Sequence, residues 1–176
     1  SARELSVDLV PQQAKTWVSQ HLVYTHGYGL AMSPTNEVSK DGLPKFFISD
    51  IPPKSSYPGF EVTRPEIYFG EKPDDYVIVN TKLKEFDYPE GESNAYTTYQ
   101  GKGGVELSSM LRKIAFAIRF GNSKIFLSQD ITGKSRILSD RNIKDRVRKI
   151  APFLRYDDDP YLVLVDGRLV WIWDAY

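Results

Sequence analysis

Apolar positions follow two different rules along this chain. Before about residue 102 they come in short runs broken by Pro, Gly, Asn and Asp, whereas beyond it they recur at helical or strand intervals. An early helix precedes the broken region. Pro11 suits a first helical position, and Gln12–Val23 places Ala14, Trp17, Val18 and Leu22 on one face, with the glycines at 27 and 29 expected to end it. Residues 30–101 then read as short strands joined by long loops, with β-prone runs at Lys45–Ser49, Glu66–Phe69, Tyr76–Thr81 and Tyr96–Tyr99. The run starting at Tyr76 and Lys84–Tyr88 are expected to pair as a hairpin across Thr81–Leu83.

In the second half, Leu107, Met110, Leu111, Ile114, Ala115 and Ile118 recur every three or four residues, with Arg112, Lys113 and Arg119 off that stripe and Gly121 as a stop. A further helix starts near Asp140 or Asn142 as N-cap and runs Ile143–Ile150, with Ile143, Val147 and Ile150 as its apolar stripe, until Pro152 forbids continuation. The chain closes with Tyr161–Val165, Asp166-Gly167 and Leu169–Trp173. Asp-Gly between two apolar β-prone runs predicts a type I′ hairpin, and runs so continuously apolar predict burial on both faces. The fold class is therefore α+β: short antiparallel strands and long loops, two or three helices and a C-terminal β-hairpin. Residues 1–176 are expected to form a single soluble domain, or a fragment of one.

Composition agrees with a folded chain, since 41% of residues are hydrophobic and 26% charged, close to ordinary globular values. The longest apolar stretches, Ile114–Ile118 and Tyr161–Val165, fall far short of the roughly 20 residues a bilayer-spanning helix needs, so any membrane attachment is expected outside this stretch. No basic leader with an apolar core opens the chain. Zero cysteines exclude disulfides and thiolate metal sites. The net charge of zero hides an asymmetry: residues 102–155 carry 13 Lys and Arg against four Asp and Glu, a net of +9 balanced by −9 elsewhere. Such a block either packs beside acidic loops of the same chain or turns toward phosphate groups, and Lys102, Arg112, Arg119 and Arg146 are its candidate binding residues.

Catalytic motifs are sparse. Gly133-Lys134-Ser135 resembles the end of a phosphate loop, but position 128 holds Ser128 where that motif needs glycine. Gly101–Gly104 before the best helix is either an anion cradle or a simple turn. Asp157–Asp159 lacks the alternating ligands of a calcium loop and reads as a solvated turn. Both histidines, His21 and His26, fall within nine residues, too few ligands for zinc. His26 sits between Thr25 and Gly27 in a glycine-flanked loop; it is either an acid–base group or a structural ring packed with Tyr24 and Tyr28 and bonded to a backbone carbonyl. No Gly-x-Ser-x-Gly elbow or cysteine nucleophile accompanies it. Eleven tyrosines and nine phenylalanines offer ring faces for sugars or bases, Tyr28 among them, but the basic block lies apart from the tyrosine-rich segments, which disfavours nucleic acid. No metal or cofactor is expected.

The stretch His21-Leu-Val-Tyr-Thr-His26-Gly-Tyr-Gly29, with Phe46–Pro53, Thr63–Gly70, Tyr76–Pro89, Tyr96–Gly104, Asp140–Tyr156 and Asp159–Arg168, resembles uncharacterised protein family 0182 across nearly the whole chain. That resemblance implies large multi-pass bacterial membrane proteins with a bundle of transmembrane helices followed by a large soluble part, without an assigned reaction. The opening Ser1-Ala2 and the strand-like ending Trp171–Tyr176 lead to the expectation of a segment excised from such a soluble part. The expected role is a structural or binding module on the extracytoplasmic side of a cell-membrane protein. Its expected partners are the remainder of its own polypeptide, transmembrane helices included, and anionic lipid headgroups, with self-association through the Leu169–Trp173 strand. The competing class is an enzyme acting on a cell-envelope polymer or lipid, with His26 as its acid–base group.

Overall fold

The computed structural model describes residues 2–4, 16–71 and 75–176. In chain order, β1 (Ala2–Glu4) is followed by a π-helical turn (Ser19–Val23) and by β2 (Gly27–Tyr28), β3 (Leu30–Met32), β4 (Ile48–Ser49), β5 (Lys54–Ser55) and β6 (Glu66–Ile67). Next come β7 (Val77–Val79), β8 (Glu85–Glu90), β9 (Ser93–Thr97), β10 (Val105–Glu106), α1 (Met110–Phe120), α2 (Lys124–Leu127) and β11 (Arg136–Leu138). The chain ends with α3 (Ile143–Ile150), β12 (Tyr161–Val165) and β13 (Arg168–Ile172). The α+β class is as expected, and the described strands pair with one another antiparallel, with isolated parallel bridges at Arg64–Arg168 and Gly70–Asn142. The chain divides into two compact units. The first draws on Ser1–Asp8, His26–Pro73 and Asn142–Tyr176, the second on Leu9–Thr25 and Asp74–Arg141.

In the first unit, a four-stranded sheet runs in the order β1-β3-β4-β5, and β2 pairs β6. Leu30, Ile48, Ile67 and Leu162 form its core, ringed by Met32, Phe47, Val62, Leu164, Leu169 and Trp171. The helix expected after Asn142 is α3: the Asn142 side chain accepts from the backbone N–H of Lys144 and Asp145 at 3.0 and 3.3 Å, so an otherwise orphaned pair of donors is satisfied. The Asp166-Gly167 hairpin also forms, both central residues having positive φ, 49° and 74°. Glycine is required at the second by contact as well as by φ. A Cβ there would lie 2.8 Å from Thr63 Oγ1, and the Gly167 carbonyl accepts from the Thr63 backbone N–H at 2.8 Å. Burial on both faces is corrected. Leu162, Leu164, Leu169 and Trp171 share the face that packs on the core, whereas Tyr161, Val165, Val170 and Ile172 on the opposite face are exposed.

In the second unit, β10, β11 and β7 form a three-stranded sheet and β8 pairs β9. The expected β7–β8 hairpin does not exist. The Thr81 side chain accepts from the Leu83 backbone N–H at 3.2 Å, closing a local turn without strand pairing. Val77–Val79, buried at every position, pairs instead with Arg136–Leu138. The early helix is described only from residue 16, so Pro11 and Ala14 lie outside the described residues; the helical part ends at Val23, before the glycines. Trp17, Leu22, Tyr76, Ile78, Leu107, Ala117, Ile125, Ile131 and Ile137 make the core. Helix α1 is capped by Ser109, whose side chain accepts from the Arg112 backbone N–H, so Leu107 of the expected stripe precedes the helix; it stops at Gly121 with φ 63°, the stop its sequence predicts. Its orientation reverses the usual meaning of an apolar stripe. Ala117, with Phe116 and Phe120 beside it, meets the core, while Met110, Leu111, Ile114 and Ile118 face outward.

Candidate functional site

The best-built polar geometry surrounds His21. In the π-helical turn, the Tyr24 N–H reaches back to the Ser19 carbonyl at 2.9 Å, a wider loop than an α-turn, and His21 and Leu22 both point inward. His21 Nδ1 lies 2.7 Å from the Tyr76 carbonyl oxygen, and because a carbonyl only accepts, that nitrogen carries the hydrogen. Its ring stacks on Tyr76 at 4.2 Å, and Nε2 faces the exposed Asp75 carboxylate at 3.7 Å. Trp17 donates its indole N–H to the Tyr76 hydroxyl at 2.9 Å, and Tyr76 stacks in turn on Phe120. Burial pushes the Tyr76 phenol above the ordinary tyrosine range; the Trp17 hydrogen bond works the other way, and the Asp75 carboxylate adds to the rise.

A second polar centre is built on Thr25. Its hydroxyl donates to Glu85 Oε2 at 2.6 Å, and its carbonyl accepts from Arg141 Nη2 at 2.7 Å. Glu85, only 1% exposed, also accepts the Tyr99 N–H at 3.0 Å. A hydroxyl against a carboxylate resembles an activated nucleophile, but Thr25 is fully buried, so the pair is closed to substrate. Neither Glu85 nor Arg141 stood out in the sequence. The only available signal was Thr25 next to His26, since nothing local marks a carboxylate 60 residues away as its partner.

The residues singled out by sequence are divided between the two units, each with its own partners. His26 is half-buried, with Nδ1 3.0 Å from the Gly27 carbonyl oxygen and its ring 4.8 Å from that of Tyr68. Tyr28 is buried in β2 opposite Glu66. Lys102 lies in a loop whose carbonyls face a cation: Arg136 donates to the carbonyls of Lys102, Gly103 and Gly104 at 3.1, 2.8 and 3.0 Å and to Glu106 at 2.6 Å. That loop also ends well before α1. Arg112 donates to the Glu106 carbonyl and the Ser108 hydroxyl at 3.3 and 3.1 Å, so it and the Lys102 loop meet around Glu106. Arg119 pairs with Asp140 at 3.2 Å, and the Arg146 guanidinium covers the Phe69 ring at 4.4 Å. Among the described residues, no group of three or more His, Cys, Asp or Glu is placed to hold a metal ion.

A family model described as "Uncharacterised protein family (UPF0182)" matches residues 1–176. The chain belongs to this family. It is 56% identical over its whole length to a UPF0182 protein of Pelotomaculum thermopropionicum, covering 19% of that relative. It is 55% identical to one from Desulforamulus reducens and 50% identical to one from Methanospirillum hungatei, covering 19% and 20% of them. The chain thus spans about a fifth of the length of the curated UPF0182 relatives it matches. No solved structure matches it.

Proposed function

We propose that this chain is a structural or binding module of a larger UPF0182 polypeptide, held on the extracytoplasmic side of a multi-pass membrane protein. The observation that carries the reading is one of proportion: the chain aligns end to end with relatives about five times its length. The polar centres agree with a structural role, because the Thr25–Glu85 pair is sealed and the His21 ring is committed to Tyr76. Among the described residues, no helix is long and apolar enough to cross a membrane, so anchoring falls to the rest of the polypeptide.

These 176 residues contain no cysteine, so labelling of a thiol introduced among them can be read against the unsubstituted polypeptide. Ser93, exposed on β9, is replaced by cysteine in the full-length polypeptide, and intact cells are treated with a membrane-impermeant maleimide. Labelling of intact cells at that thiol is the expected result. Labelling only after permeabilisation overturns the extracytoplasmic placement.

A further inference from the structure

Helix α1 has two apolar faces and uses one. Leu111, Ile114, Ala115 and Ile118 stand at i, i+3, i+4 and i+7, so they line a single side, and Leu111 and Ile118 are 80% and 76% exposed. The opposite side, Phe116, Ala117 and Phe120, already meets the core. The 11 residues of α1 give a ridge about 16 Å long, three helical turns, which is the shape that a second helix packs against. The rim has one sign. From Leu107 to Gln129 the sequence carries Arg112, Lys113, Arg119 and Lys124 and no Asp or Glu. Arg112 is bonded only to neutral oxygens in its described contacts, so its charge stays uncompensated there, and Lys124 is exposed.

We propose that the outward face of α1 is the docking surface for an amphipathic helix from the part of the polypeptide outside these 176 residues, one with an apolar stripe and acidic flanks. The inference rests on the module reading above and names its contact. The length of polypeptide available is the first support, since about four fifths of each relative lies outside the matched region. Charge is the second: a carboxylate-flanked helix satisfies Arg112 and Lys124 while its apolar stripe covers Leu111, Ile114 and Ile118. Shape favours a helix over an anionic bilayer, because a three-turn ridge offers grooves along which a second helix seats.

The test is photocrosslinking in the full-length polypeptide in its membrane, with a benzophenone amino acid replacing Leu111. The expected product is an internal cross-link to a peptide outside the 176 residues. Ile118→Glu, which buries a charge in the contact while altering a side chain that is exposed in this unit, should lower its yield about tenfold, and Ile118→Ala by less. Cross-links to lipid, to a second copy of the polypeptide or within the 176 residues, or no cross-link, overturn the docking helix. The Ser93→Cys labelling reads the parent proposal separately: external labelling without an α1 cross-link removes this inference and leaves that one standing.

Discussion

Thr25 holds a buried carboxylate through its hydroxyl and a buried guanidinium through its carbonyl, although it is a small neutral residue. A charge out of water persists only while its donors or acceptors are in place. Glu85→Ala strands the Thr25 hydroxyl and the Tyr99 N–H together, which should lower unfolding free energy by about 1–3 kcal/mol and the melting temperature by several degrees, with Glu85→Gln costing less. Equal melts for all three proteins would remove Glu85 from the account of stability. Tyr76 adds a pH dependence. Its phenol titrates higher when folded than the ordinary value of 10.0, so its contribution is complete below that value and is lost as pH rises through it toward the folded pKa. Thermal melts of wild type should therefore fall more steeply above about pH 10 than those of Tyr76→Phe; parallel curves would refute this. His26→Ala loses the Gly27 carbonyl contact and the Tyr68 ring contact, and a melt lowered without any zinc response in wild type is expected. An unchanged melt, with zinc stabilisation abolished in the mutant, would make His26 a ligand instead. That His21 has the denser surroundings was not legible, because the sequence displays both histidines alike and only the wider π-helical turn turns His21 inward.

At the scale of elements, what could be read ahead was local chemistry. Asn142 announces α3, Gly121 ends α1, and Asp166-Gly167 marks the C-terminal turn, since each acts on backbone groups within a few residues of itself. Partners at a distance could not be read. The apolar run Val77–Val79 shows that it wants cover but not that the cover is Arg136–Leu138, and the α1 period shows which residues share a side without showing which side meets the core. The same limit misjudged the hairpin, whose continuous apolar runs belong to one packed and one exposed face. Its tip offers a clean test. Gly167→Ala adds a Cβ against Thr63 at positive φ, and a loss of at least about 1 kcal/mol in denaturant melts is expected. An unaltered midpoint would mean that the 61–64 segment yields without cost.

For the molecule as a whole, five cations of the +9 block have partners within the chain: Arg119 on Asp140, Arg136 on Glu106 and three carbonyls, Lys144 on Glu71, Arg141 on the Thr25 carbonyl and Arg146 over Phe69. Because the α1 face is assigned to a protein helix, sedimentation with anionic and neutral vesicles should show little difference, whereas strong salt-sensitive binding to the anionic ones alone would restore the headgroup reading. Two apolar faces exposed among the described residues, on α1 and on the outer side of β12 and β13, predict that the 176-residue chain self-associates at high concentration. Light scattering that reports a strict monomer throughout would contradict this.

The interleaving of the two units also sets an order of assembly. Synthesis delivers every segment of the second unit by Arg141, while the first still awaits its closing hairpin. The 31 residues separating Arg141 from Ile172 take a ribosome about 2–6 s to add. During that interval Leu30, Ile48 and Ile67 have been made but Leu162 has not been brought against them, so the first unit's core is half-built while every segment of the second is present. A chaperone or a protease meeting the chain then would find its target in the earlier-made segment.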